Sequence, residues 1–126
     1  MAGILPNEGK ALTADLIINQ AEDFDLILIT NASISETTTG ASLTQPSGSG
    51  YAPVALNAGS WTGVADSRTY PKHTFTATGV WAGGVTGYAI VTRSSNKIIA
   101  MELEGGGPYT FAADDTYDVT PTITVA

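Results

Sequence analysis

The polar and apolar positions of this chain change period once. At the amino-terminal end they repeat at helical spacing; from Asp25 onward they alternate, or run apolar, in stretches of strand length. The strictest alternation is at the other end. Tyr117, Val119, Pro121, Ile123 and Val125 fall on one face, and Asp118, Thr120, Thr122 and Thr124 on the other. Side chains flip at every residue of a strand, so 117–126 reads as a strand with one buried and one wet face, built into the fold to its end. Leu26-Ile-Leu-Ile29 is a short continuous apolar run, which predicts a strand buried on both faces. Val85–Arg93 and Lys97–Glu104 flank Ser94-Ser-Asn96, and the unit reads as a hairpin. Tyr88, Ile90 and Thr92 would face one way, with Ala89, Val91 and Arg93 facing the other. Shorter strands are expected at Pro53–Asn57, Ser60–Val64, Thr74–Thr78 and Tyr109–Phe111.

One helix is expected, over residues 5–20. Leu5, Gly9, Leu12 and Leu16 recur at spacings of four, three and four and make one stripe, which Ile17 and Ile18 widen. Asn7 is placed to cap its start, and Glu8 to sit at the positive end of the helix dipole. Residues 32–50 are mostly Ser, Thr and Gly and read as a long loop, with a short edge strand around Ala41–Thr44. About eight short strands with Gly and Pro between them predict an all-β fold, an antiparallel β-sandwich of jelly-roll type with the helix at one end. The whole of 1–126 is expected to be one domain, with the sandwich occupying 25–126.

Composition narrows the partners more than the fold. Net charge is −7 with five Lys and Arg, which argues against nucleic acid and anionic membranes. Only 13% of residues are charged, against about 25% in ordinary domains. A surface of small polar residues resembles an interface more than the surface of a free enzyme. There is no Cys and one His, so disulfides are excluded and a zinc site is argued against. No apolar run approaches the ~20 residues of a membrane helix. Met1-Ala-Gly-Ile-Leu-Pro lacks the basic start and apolar stretch of a signal peptide, so synthesis and retention in the cytoplasm are expected until the chain joins something.

Candidate chemistry is sparse. Glu22, Asp23 and Asp25 cluster before one strand, and Asp114, Asp115 and Asp118 before another; either could offer oxygens to calcium, but neither has EF-hand spacing. Turn acids explain both. Glu102 and Glu104 share a strand face, as a glycosidase pair would, though exposed positions at a strand end explain them as well. His73 has no nucleophile elbow to serve, and Gly105-Gly-Gly107 lacks the Lys and Ser/Thr of a phosphate loop. No catalytic residue, cofactor or metal is therefore expected, and the chain is read as not an enzyme. Tyr51, Trp61, Tyr70 and Trp81 lie among small residues, where aromatics cap a core, stack on sugars or anchor an interface.

The order of these features resembles a known group. Asn7-Glu-Gly9 precedes Leu26-Ile-Leu-Ile-Thr-Asn31; a Ser/Thr/Gly stretch then closes on Gly50-Tyr51. His73-Thr-Phe-Thr-Ala-Thr78, Val85-Thr-Gly-Tyr-Ala-Ile-Val91, Asn96-Lys-Ile-Ile and the Tyr117-Asp-Val-Thr-Pro-Thr-Ile-Thr strand follow. This is similar to the small β-rich structural proteins of tailed bacteriophages, of the capsid decoration or cement type. The resemblance implies a virion protein on the outer capsid surface, made in the host cytoplasm. It would bind the major capsid protein and copies of itself, often as a trimer, and stabilise the shell by bridging subunits. It would bind neither nucleic acid nor membrane. The contact elements would be the helix and the 32–50 loop, with Leu5, Leu12, Leu16, Tyr51, Trp61, Tyr70 and Trp81 as interface residues. The alternative is a tail or head-fibre module that binds host glycan through those aromatics; a small glycan-processing enzyme is a further rival.

Overall fold

A computed structural model describes residues 3–20 and 22–126, so Met1, Ala2 and Ala21 lie outside the described residues. The described residues form one α-helix, α1 (Asn7–Ile18), and eight strands: β1 (Phe24–Ile29), β2 (Val54–Leu56), β3 (Ser67–Thr69), β4 (His73–Thr76), β5 (Gly87–Thr92), β6 (Ile98–Leu103), β7 (Thr116–Val119) and β8 (Thr122–Thr124). The chain is β-rich, and all pairs among these strands are antiparallel.

The central sheet has the order β2-β1-β5-β6. Its middle strands pair Leu26 with Ile90 and Leu28 with Tyr88, so these four side chains share one face. Ile27 pairs with Ala89 on the other face. Both faces are buried, as the apolar run predicts. The first joins Phe24, Leu56, Phe75, Trp81, Phe111, Val119 and Ile123 in the larger core cluster. The second, with Ile29 and Val91, is covered by Ile34, Leu43, Ile98, Met101 and Leu103. The expected hairpin forms as β5 and β6, and its two faces divide Tyr88 and Ile90 from Ala89 and Val91 as the pattern requires. Asn96 takes positive φ (53°) in the turn. Gly87 has no room for a side chain: a Cβ there would stand 1.9 Å from the Glu102 carbonyl oxygen.

Several expectations are corrected. The alternation over 117–126 holds, with Val119, Pro121 and Ile123 buried and Asp118, Thr120 and Thr124 exposed. It is nevertheless two strands. Pro121 has no N–H to donate to a ladder, so β7 and β8 end on either side of it and take different partners. β7 pairs with β4 from His73–Val119 to Thr76–Thr116, and β8 with β3 from Ser67–Thr124 to Thr69–Thr122. Pro71 interrupts the opposing stretch in the same way. The Tyr70 N–H spans the break by donating to the Pro121 carbonyl at 2.9 Å.

β3 lies between expected elements, and Ser60–Val64 is not a strand: it follows a 3-10 turn (Ala58–Ser60) and makes only a single bridge, from Thr62 to Thr69. The edge strand expected at Ala41–Thr44 is a 3-10 turn at Gly40–Ser42, held where the Asn31 side chain donates to the Ser42 carbonyl and accepts from the Thr44 N–H. The helix is shorter than 5–20. Pro6 disfavours helical backbone at Leu5, so Pro6 is the capping position and Asn7 the first helical residue, without a side-chain cap.

Candidate functional site

α1 is two-sided, but not along the division the leucine spacing suggests. Ala14 and Ile18 are buried, and Ile17 packs against the core. Leu12 and Leu16 lie on the far side of the helix, 65% and 71% exposed, and Leu5, ahead of the Pro6 cap, is 45% exposed. Ile17 and Ile18 therefore do not widen the leucine stripe; they form the opposite, inward face. Ile4 is exposed just ahead of it. Leaving Leu12 and Leu16 in water forgoes roughly 1.5–3 kcal/mol each relative to full burial.

What holds that face outward is Arg68 of β3. Its side chain is 6% exposed, and all five guanidinium N–H groups have acceptors. Nε and Nη2 donate to Asp15 Oδ1 at 3.2 and 2.7 Å, Nη2 to the Ala11 carbonyl at 3.3 Å, and Nη1 to the carbonyls of Ala65 and Ser67 at 3.0 and 2.7 Å. One buried cation thus joins the helix backbone, a helix carboxylate and the strand. The sequence pattern did not single out Arg68 or Asp15; the available hint was the scarcity of cations in an acidic chain.

The aromatic candidates are brought inside. Trp81 is 4% and Trp61 7% exposed. Trp81 donates to the Ser49 carbonyl at 2.8 Å and lies against Tyr51 and Phe111; Trp61 stands edge-on to Tyr70. Trp61 Nε1 is buried, with no hydrogen-bond partner among the described residues. Tyr51 and Tyr70 are half-buried, with hydroxyls that accept the N–H groups of Leu28 and Asn57. As surface anchors, Trp61 and Trp81 are corrected to core residues, because burying a large ring against the sheet outweighs displaying it. Leu5, Leu12 and Leu16 remain on the surface.

The 32–50 loop spends its apolar residues internally, Ile34 and Leu43 covering the second face of the sheet. Its turn packs so closely on the β5–β6 turn that a Cβ on Gly40 would stand 1.8 Å from the Asn96 carbonyl oxygen.

The first acidic cluster is a latch. The Glu22 carboxylate accepts the hydroxyls of Ser94 and Ser95 at 2.6 and 2.9 Å, and these bonds hold it below the usual carboxylate range, Ser94 contributing most. Arg93 reaches Asp25 at 2.9 Å and Asp23 at 3.2 Å. Among the described residues, no three His, Cys, Asp or Glu side chains are grouped to hold a metal ion. His73 stands edge-on to Phe75.

No family model, curated protein or solved structure matches this chain.

The second acidic cluster has a different setting. Asp114 and Asp118 join Glu104 around a cleft of about 600 Å³, with Tyr109, Phe111 and Tyr117 in its wall. Tyr117 donates to Glu104, and Tyr88 to Glu102 at 3.2 Å. The two glutamates of β6 and its end thus each accept a phenol, and both line an adjoining depression with Tyr117 and Asp118. Burial first, and then the bond to Glu104, pushes the Tyr117 phenol well above its ordinary value.

Proposed function

We propose that this chain is a structural protein of a virion, a capsid decoration or cement protein that binds the outer shell and stabilises it by bridging subunits. The observation that carries the reading is the leucine face of α1. An amphipathic helix on a free monomer turns its leucines inward; this one turns Ala14 and Ile18 inward and holds Leu5, Leu12 and Leu16 in solvent. Arg68 makes the arrangement rigid, so the face is preformed and its ordering cost is met during folding. Four of the six large exposed hydrophobics among the described residues, Ile4 with the three leucines, lie in this one stretch.

The partners under this reading are copies of the same chain, as a trimer, and the major capsid protein. Many weak contacts presented together on a lattice add through avidity and stabilise the assembled form by mass action. The finer fold reading, a β-sandwich of jelly-roll type, belongs to the same proposal. What supports the sandwich is the larger core cluster, in which Leu26, Leu28 and Ile90 of the central sheet meet Phe75, Val119 and Ile123 of the β4–β7 and β3–β8 pairs. The glycan-binding alternative rests on Tyr51, Trp61, Tyr70 and Trp81, and the burial of both tryptophans removes its main support.

The test is the mass of the purified chain by sedimentation, alone and mixed with phage heads lacking it. A trimer that binds heads and raises their heat resistance supports the reading. Leu12→Glu with Leu16→Glu should abolish assembly while leaving the thermal transition of the monomer nearly unchanged, since both side chains are exposed. A folded monomer that ignores heads, with the double variant indistinguishable from it, removes the proposal.

A further inference from the structure

We propose that the cleft between the end of β6 and residues 109–118 receives a basic side chain, arginine or lysine, from a partner protein. It uses residues separate from the leucine face and stands whether or not the shell reading does.

The cavity comes first. At about 600 Å³ it falls within the range of sites that hold a small group, roughly 300–1,000 Å³. Its wall is aromatic and fixed. Tyr109 and Tyr117 have ring centroids 6.1 Å apart, Phe111 stands edge-on to Tyr117 at 5.8 Å, and Trp81 backs Phe111 at 4.9 Å. Tyr109 and Tyr117, the half-buried rings of that wall, are the ones that can attract a cation through their quadrupole, with Phe111 and Trp81 buried behind them.

Charge then selects the occupant. Glu104, Asp114, Asp115 and Asp118 line the cleft, and no Lys, Arg or His does. The bonds that orient these carboxylates come mostly from neutral donors, which leave the negative charge in place. Glu104 accepts the Tyr117 hydroxyl, Asp115 the Ala112 N–H at 2.8 Å, and Asp118 the Thr74 hydroxyl at 2.6 Å. One cation approaches from outside: Lys72, 62% exposed, with its Nζ 3.6 Å from Asp118. The Tyr117 phenol stays a neutral donor, because its ionisation is displaced upward.

The complementary ligand is therefore rich in donors, positively charged and flat or extended enough to lie on a ring. A guanidinium meets all three conditions, and an ammonium on an alkyl stem meets the first two. A bare metal ion fits poorly, since these carboxylates do not close into a group of three around one point. A neutral sugar needs donors as well as acceptors, and the lining hydroxyls of Thr110 and Thr116 offer few.

The experiment is an NMR titration of the full chain with acetyl-arginine methylamide and with its citrulline counterpart, which has the same shape without the charge. Shifts centred on Tyr109, Phe111 and Tyr117 are expected, with the arginine probe at least about tenfold tighter than citrulline. Glu104→Gln, which keeps an oxygen for the Tyr117 hydroxyl, should weaken the arginine probe several-fold while the melting curve holds. Tyr109→Ala should also weaken the arginine probe by removing a ring face, with a lowered melting point because that ring packs on the core. Equal binding of the two probes overturns the proposal, as does no shift in the cleft up to about 50 mM probe. Shifts at Glu22, Asp23 and Asp25 as large as those in the cleft overturn it too, by showing general attraction to an acidic surface. A neutral disaccharide that saturates the same resonances at lower concentration would replace the cation with a sugar.

Discussion

Arg68→Met should be among the most damaging single changes outside the apolar core, and its cost can be worked from the contacts. Methionine keeps much of the arginine stem's volume but none of its five donors. The carbonyls of Ala11, Ala65 and Ser67 each lose a charged partner at 3.3, 3.0 and 2.7 Å. Taking about 1 kcal/mol for each, the low end because local water can reach some of them, gives roughly 3 kcal/mol. The ion pair adds less. Asp15 is 59% exposed, so water screens it and takes it over when Arg68 is gone; its share is about 1 kcal/mol or below. Arg68→Met should then cost ~3–4 kcal/mol and Asp15→Asn ~1 kcal/mol. At roughly 4 °C per kcal/mol for a chain of this size, the melting points should fall by about 14 °C and 4 °C. The double variant should cost little more than Arg68→Met alone, because Asp15 has no partner left to lose. Urea unfolding followed by circular dichroism measures all three. An Arg68→Met loss under about 1 kcal/mol, or an Asp15→Asn loss exceeding that of Arg68→Met, would refute the claim that Arg68 acts chiefly through the carbonyls of Ala11, Ala65 and Ser67.

Other outcomes follow from single contacts. Gly40→Ala should release the 32–50 loop, because its Cβ meets the Asn96 carbonyl oxygen at 1.8 Å; amide exchange should accelerate at Thr44 and Asn96 while β1 and β5 stay protected. Trp81→Phe should cost about 2 kcal/mol more than Trp61→Phe, since the first abandons the Ser49 carbonyl and the second deletes a buried donor with no partner among the described residues. Equal losses in urea unfolding would show that ring volume alone matters. In an alkaline absorbance titration, Tyr51, Tyr88 and Tyr117 should resist ionisation at the ordinary phenol value near ~10. Burial is the first cause for each and carries Tyr51 to about 12. A raised folded value means the stability from these phenols is complete below the free value and is lost as pH rises through the folded one. For Tyr51 that window lies between ~10 and about 12. Ionisation of Tyr51, Tyr88 and Tyr117 near ~10 without unfolding would contradict the burial argument.

Local periodicity carried a large share of this fold. The run Leu26–Ile29, the hairpin of β5 and β6 and the in-out alternation of 117–126 were legible because a strand's side chains must alternate, and burial then sorts them by polarity. The short charge list similarly indicated a chain poor in basic groups. What the pattern could not give was partnership. Pro121 sits in phase with the buried face, so alternation conceals the break its missing N–H makes in the ladder. The leucine spacing of α1 marks a stripe but not which stripe is covered; that was decided by Arg68, which draws the Asp15 side of the helix onto β3. The aromatics gave no sign of direction either, and tertiary packing sent Trp61 and Trp81 inward while leaving Tyr109 and Tyr117 along a cleft. The sequence alone determined where the chain must be extended or helical, because those constraints act between near neighbours. Only the tertiary structure decided which faces meet, because Arg68 and Asp15 lie far apart along the chain and their contact depends on how the whole chain closes.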